Sequence, residues 1–157
     1  MSAQLVTYSM LDTAGTIATP FSSIDISGLA QRGVVRMELE MSVDQSTIKV
    51  AADGAVVPSV KPGDNAVLRM EMFQTSSLHN ELLAWYNQIR AARDQGDVSQ
   101  WFGGSFLIAG TVSGLSHYGT GCAPMKVPDY HYQEEAETVT WSIVACNCVQ
   151  QGPAFSL

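Results

Sequence analysis

The chain has 157 residues, of which 46% are hydrophobic and 15% are charged, with a formal net charge of -7. This length suits a single domain over residues 1–157, and the composition is that of a folded protein. The eight Lys and Arg residues are scattered in an acidic chain, which argues against tight nucleic-acid binding, because phosphate contacts need clustered cations. No segment resembles a signal peptide or approaches the ~20 apolar residues that span a bilayer, so we expect cytoplasmic synthesis and no membrane insertion.

The first part of the chain predicts short strands and turns. Extended runs lie at residues 4–11, 16–19 and 23–26, before a turn at Gly28. The clearest alternation follows at Val34–Met41. One face of that strand is apolar (Val35, Met37, Leu39 and Met41), and the other is charged (Arg36, Glu38 and Glu40). This period of two predicts a sheet with one buried side.

Residues 42–63 predict a projecting two-stranded arm. Asp53 and Gly54 lie between two apolar runs, which is typical of a hairpin turn, and Pro58 and Pro62 disfavour a central strand. A lone hairpin is marginally stable in water, so we expect the arm to dock on another molecule. The residues assigned to that contact are Thr47, Lys49, Asp53 and Val56.

The core is predicted to form around residues 64–96. A strand at 65–73 alternates, with Arg69 and Glu71 on its polar face, and Ser76 or Ser77 caps the helix that follows. The spacing of the large side chains gives that helix an apolar stripe of Leu78, Leu82, Trp85, Tyr86 and Ile89. Because no other segment has a comparable helical pattern, this helix should cover the sheet.

Two further strands complete the predicted fold. The nearly continuous apolar run at 105–112 is typical of a strand covered on both faces, preceded by a bulge or close backbone approach at Gly103 and Gly104. Residues 114–128 are rich in Gly and Pro and predict a loop. The last strand spans 137–149, with Val139, Trp141, Ile143 and Ala145 on one face, and a short tail follows at 150–157.

The three cysteines cannot form a fully paired internal framework. Cys146 and Cys148 lie on the same face of the predicted last strand and are poorly placed to bond each other. Free thiols in a reducing compartment are one interpretation. The other is an intersubunit disulfide that involves Cys122, Cys146 or Cys148 and forms after an assembly leaves the cell.

The sequence contains no recognisable catalytic, cofactor-binding or metal-binding pattern. It has no nucleophile elbow, phosphate loop, dinucleotide fingerprint or His-Glu-x-x-His motif. His117, Cys122 and His131 do not match a zinc spacing. We therefore expect no enzyme activity and no cofactor; what remains is an assembly component or a ligand-binding barrel.

An ordered set of residues resembles the tail tube proteins of contractile-tailed bacteriophages from about residue 5 to residue 149. The set comprises Thr7-Tyr8-Ser9-Met10-Leu11, Gly28, Gly33-Val34, Ala52-Asp53-Gly54, Gly63, Thr75-Ser76-Ser77, Leu82 and Tyr86. The resemblance implies a mainly β fold, a barrel or sandwich of antiparallel strands with one flanking helix, similar to the haemolysin-coregulated protein of type VI secretion. The Gly-rich segment 114–121 and the cysteines Cys146 and Cys148 depart from the family pattern.

The resemblance also implies a virion structural role. Six subunits would close a ring, and rings would stack into a hollow tube that lies inside the sheath protein, holds the tape measure protein and conducts DNA without reading its sequence. Arg36, Glu38, Glu40, Arg69 and Glu71 are the candidates for lumen-facing residues. A type VI secretion tube, a tailocin tube and, from a different class, a soluble ligand-binding barrel stay open as alternatives.

Overall fold

A computed structural model of the chain describes residues 13–26, 33–110 and 114–152. The fold is mainly β: a curled antiparallel sheet in the form of a half-barrel, with a single helix. This confirms the fold class expected from the sequence. The strand expected at 4–11 and the end of the tail lie outside the described residues.

The described residues form one helix, α1 (Ser77–Asp94), and nine strands. The strands are β1 (Thr13–Ala18), β2 (Ser23–Asp25), β3 (Val34–Met41), β4 (Ser46–Val50), β5 (Val56–Val60), β6 (Ala66–Phe73), β7 (Gly104–Gly110), β8 (Ser116–Pro124) and β9 (Thr138–Gln151). Seven strands make one sheet in the order β2-β1-β7-β8-β9-β6-β3, and all neighbours are antiparallel. Strands β4 and β5 pair separately.

The inner face of the half-barrel packs against α1. Ser76 caps the helix, its hydroxyl accepting a hydrogen bond from the Leu78 amide at 3.2 Å, and the chain leaves the helix at Gly96, whose φ is 88°. Trp85 is 1% exposed, and a Cβ built on Gly104 would lie 2.7 Å from its ring. Only glycine therefore permits this approach, as expected for the pair at 103–104. Each large side chain buried here stabilises the fold by roughly 1.5–3 kcal/mol.

A line of irregular pairing bends the sheet across β8 and β9. Gly121, with a φ of 63°, is an extra residue in β8 at the point where the β7–β8 register shifts. In β9 the Cys148 amide donates to the Asp64 carbonyl at 2.7 Å. If the pairing of Ala66 with Ala145 continued without a bulge, the residue before Cys148 would lie opposite Asp64, so β9 has one extra residue here. An extra residue bends a strand and moves the next side chains to the opposite face.

Three predictions about strand faces are wrong because of pairing that the sequence does not reveal. A bulge at the start of β3 buries Val34 and leaves Val35 49% exposed. The bulge in β9 turns Cys148 into the core while Cys146 stays exposed, so the two thiols do not share a face. Strand β7 is covered on one face only, since Leu107 is 48% exposed.

The prediction of a loop at 114–128 is also wrong, because most of that segment is β8. Its glycines are packing residues. A Cβ on Gly119 would lie 2.3 Å from the Phe106 ring, which occupies that space from the neighbouring strand. The Gly-rich composition therefore marks close packing and a bulge inside a strand.

Candidate functional site

The pairing of β3 with β6 brings the five predicted lumen residues together on the outer face of the sheet. Arg36 lies opposite Glu71 and Glu38 opposite Arg69 in the register. We call Arg36, Glu38, Glu40, Arg69 and Glu71 the charged face. Each member interacts with a neighbour, and the shortest contact joins Arg69 Nη1 to Glu40 Oε2 at 2.6 Å.

The remaining contacts of the charged face are local. Arg36 Nη2 lies 3.4 Å from Glu38 Oε2, and the Thr138 hydroxyl donates to Glu71 Oε1 at 2.9 Å. Exposed ion pairs of this kind contribute about 0–1 kcal/mol to stability. Two cations against three anions give the face a small negative charge and a hydrophilic surface.

The arm, which consists of β4, β5 and their turn, presents an apolar surface to solvent. Cross-strand partners share a face, and the register pairs Ile48 with Pro58, Val50 with Val56 and Ser46 with Val60. We call Ile48, Val50, Val56, Pro58 and Val60 the arm's apolar face. Its members are all exposed, Val60 at 85% and Val56 at 56%.

The other arm residues selected from the sequence occupy different positions. Thr47 and Lys49 lie on the opposite face of the hairpin, and Asp53 lies in the turn, where its carboxylate accepts the Ala55 amide at 3.0 Å. At the root, Gln45 Nε2 donates to the Gly63 carbonyl at 2.7 Å and to Asp64 Oδ1 at 2.9 Å. This clamp joins the two limbs of the arm where they meet the sheet.

Among residues 13–26, 33–110 and 114–152, the main sheet has two edges, β2 and β3. Within these ranges strand β3 pairs only with β6, and its inward residues Met37, Leu39 and Met41 are only partly buried. A cavity of about 200 Å³ lies between β3 and β6 on one side and β1, β7 and β8 on the other. His117 lines it, and its Nδ1 is buried without a hydrogen-bond partner.

A buried polar network that the sequence did not predict holds the start of α1. His79 is 4% exposed; its Nδ1 accepts from Trp141 Nε1 at 2.9 Å, and its Nε2 lies 3.1 Å from the Tyr130 hydroxyl. With Nδ1 as acceptor, the proton of the neutral ring lies on Nε2 and is donated to Tyr130. Burial lowers the pKa of His79. Its position on the buried stripe of α1, one residue after Leu78, was the available signal.

The three thiols occupy different environments. Cys122 and Cys148 are buried in the core cluster, and burial raises the pKa of Cys122 to about 12. Only Cys146 among them is exposed, so it is the one candidate left for a contact with a neighbouring subunit.

In the described ranges no group of three His, Cys, Asp or Glu side chains is arranged to hold a metal ion. Within the same ranges, α1 is not apolar enough to cross a membrane.

The family model described as bacteriophage PhiTE tail tube protein matches residues 5–151. A comparison with curated proteins finds no match.

Solved structures with a similar fold belong to contractile injection particles. One is the PVC sheath–tube complex of an extracellular contractile injection system in the extended state: TM-score 0.58, 11% identity, 94% of this chain and 93% of that chain. Another is the PVC sheath/tube terminator: TM-score 0.57, 14% identity, with 96% and 100% covered. A third is the tube-terminating cap of the anti-feeding prophage: TM-score 0.54, 9% identity, with 98% and 96% covered. At these identities the likeness concerns the fold alone.

Proposed function

The chain belongs to the bacteriophage PhiTE tail tube family, and we propose that six copies of it close a ring and that such rings stack into the hollow inner tube of a contractile tail. The observation that carries this proposal is the family match over residues 5–151. Membership of this family makes the chain a structural tube protein.

The open half-barrel supports ring closure. An edge strand carries a row of unpaired backbone N–H and C=O groups, and such edges aggregate unless another strand covers them. Here β3 is an eight-residue edge strand with half-buried apolar side chains beneath it. Joining β3 to the sheet of a neighbouring copy satisfies the edge, and six such joints close a continuous wall.

The charged face supports assignment of the lumen. A conduit for DNA has to be wet and must not bind phosphate. The charged face meets both requirements, since its arginines are engaged by glutamates and the excess charge is negative. We place it on the inner wall of the tube, where DNA passes during ejection and the tape measure protein lies before it.

The arm supports stacking. Its apolar face is open, and the clamp at Gln45 gives it a defined root. We propose that it contacts the adjacent ring. The sheath surrounds the tube in this proposal, by analogy with the sheath–tube complex of the PVC particle, and the assembled protein is a component of the virion.

A soluble ligand-binding barrel is less well supported. The cavity inside the half-barrel is about 200 Å³, below the roughly 300–1,000 Å³ typical of small-molecule sites. A pocket of about 460 Å³ lies at the root of the arm, between Met41, Gln45 and Cys148, outside the half-barrel cavity that such a protein would use. Ligand binding inside a barrel would also leave the exposed apolar arm unexplained.

Negative-stain electron microscopy of the purified chain tests the proposal. We expect rings at low protein concentration and tubes at high concentration, with six-fold averages in end views. A monomer at all concentrations, measured by light scattering on the same samples, would refute ring formation.

A further inference from the structure

No other part of the chain that the structure describes covers the arm's apolar face. Its aliphatic members are more than half exposed, although they share one face of a registered hairpin. Lys49 projects from the other face, so a partner that covers the apolar face would bury no charge of β4 or β5.

A second apolar patch lies at the other end of the sheet. Phe73 is 40% exposed on the outer face, in phase with Arg69 and Glu71, and its amide donates to the Gly33 carbonyl at 3.1 Å. Val35 is 49% exposed because the bulge in β3 turns it outward. We call Val35 and Phe73 the far-end patch.

The two surfaces lie at opposite ends of one ladder. The arm leaves the sheet where Met41 pairs with Ala66, and the far-end patch lies where Val34 pairs with Met72. Eight residues of β3 separate these ends, about 25 Å at ~3.3 Å per residue. Surfaces at opposite ends of a subunit cannot meet in one copy, but they can meet between successive copies.

We propose that the arm's apolar face of one copy docks on the far-end patch of a copy in the next ring. The inference rests on the proposed stacking of rings and adds the acceptor surface to it. The contact is heterologous, so each copy offers an arm at one end and an acceptor at the other. Such head-to-tail contacts do not close and therefore generate an open-ended stack.

Two other apolar acceptors fit less well. Pairing between two arms would be isologous and would stop at a closed pair. A row of Leu107, Tyr118 and Val149 crosses β7, β8 and β9 on the outer face, with each residue close to half exposed. Val149 lies beyond Ala145, the partner of Ala66, so this row reaches the end from which the arm itself projects and would not propagate a stack.

Disulfide trapping tests the acceptor. In a Cys146→Ser background, which removes the exposed native thiol, Val50→Cys on the arm is combined with Val35→Cys. Tubes are assembled, oxidised mildly and run on a non-reducing gel. We expect a ladder of dimers, trimers and longer multimers, since every copy carries both partners of a heterologous contact.

The matched controls use side chains of similar exposure. Val50→Cys with Val149→Cys should stay monomeric on the gel, and so should Val50→Cys alone. Crosslinking to position 149, or dimers from the single variant, would overturn the far-end acceptor while tubes seen by microscopy keep the proposed function intact. Absence of tubes from the unsubstituted chain would overturn both.

An independent measurement blocks the acceptor without cysteines. Phe73→Glu places a charge in the far-end patch and should leave rings that do not stack, seen as short discs in micrographs and as a loss of sedimentable tubes. Leu107→Glu, the same kind of change at a side chain of similar exposure, should leave tubes. Normal tubes from Phe73→Glu would contradict the proposal.

Discussion

The helix α1 and the arm both carry a one-sided apolar surface, but the described residues of the chain cover only that of the helix. Leu82, Trp85 and Ile89 of α1 are 0–1% exposed beneath the half-barrel. Ile48 and Val50 of the arm are 67% and 68% exposed. The same kind of residue therefore stabilises the fold in one place and is left for a partner in the other.

This difference separates folding from assembly. Side chains that the subunit buries contribute to its own free energy of unfolding, whereas exposed ones contribute almost nothing until another copy covers them. Substitutions in α1 should therefore act before assembly, and substitutions in the arm only during it. The following predictions test that separation.

Trp85→Ala should have the largest effect. The indole fills the space over Gly104, so its removal leaves a cavity and should lower the free energy of unfolding by about 3–5 kcal/mol. Urea unfolding at a protein concentration too low for assembly measures the loss. The arm substitution Val50→Ala is the control and should change it by less than about 0.5 kcal/mol. Equal losses of unfolding free energy in Trp85→Ala and Val50→Ala would contradict the separation of folding from assembly.

Deletion of the arm should abolish tubes but spare the fold. The Lys61 amide donates to the Gln45 carbonyl at 2.8 Å, so a two-residue turn can replace residues 46–60 without moving the ends. We expect the unfolding curve of the monomer to be retained and micrographs to contain rings or monomers. Long, regular tubes from the deleted chain would refute an assembly role for the arm.

A third surface, the charged face, is exposed but hydrophilic, and it should affect DNA passage rather than assembly. Glu38→Lys with Glu40→Lys makes all but one of its five residues cationic. Virions that carry the change should eject DNA more slowly, with a delay that high salt relieves, because phosphates would bind the wall. Glu134→Lys with Glu135→Lys makes the same charge change on exposed residues between β8 and β9 and is the control. Unchanged ejection and salt dependence would remove the lumen assignment.

The smallest predicted effect is a loss of folding stability at acidic pH. Burial lowers the pKa of His79 in the folded state below its unfolded value of about 6.5, so the unfolded chain binds the proton more tightly. Stability conferred by neutral His79 is complete above that value and is lost as the pH falls below it. Protonated Nδ1 would also face the Trp141 N–H, its present donor.

Urea midpoints of the monomer from pH 7.5 down to pH 5 measure this effect. His79→Gln retains a hydrogen-bonding side chain without titrating and should flatten part of the slope. Because burial also lowers the pKa of His117, His117→Gln should flatten a further part. If both variants lost stability with falling pH as steeply as the unsubstituted chain, the assignment of this pH dependence to the two histidines would be wrong.

Local patterns in the sequence predicted much of the fold. The alternation in β3 and β6, the helix with its Ser76 cap, the hairpin signal at Asp53–Gly54 and the close approach at Gly104 are all present in the structure. The family resemblance is confirmed by the match over residues 5–151. The alternation, the helix cap and the turn signal depend on neighbours a few residues apart, so a single sequence contains them.

The sequence did not predict strand β8, because the reasons for its glycines lie on other strands. One glycine leaves room for the Phe106 ring on β7 and another forms the bulge beside Cys146, and neither residue is near in the chain. Contacts between residues that are distant in the chain also explain three other features that the sequence did not predict: the exposure of Val35, the burial of Cys148 and the His79 network.

Periodicity, capping and turn chemistry are local, so the amino-acid sequence was enough to predict a β-rich fold, a single helix and the arm, and an ordered set of residues was enough to recognise the family. Which faces are covered and which stay open became known only from the three-dimensional packing. A bulge reverses a face without changing the periodic pattern, and burial depends on residues that pairing brings from elsewhere in the chain.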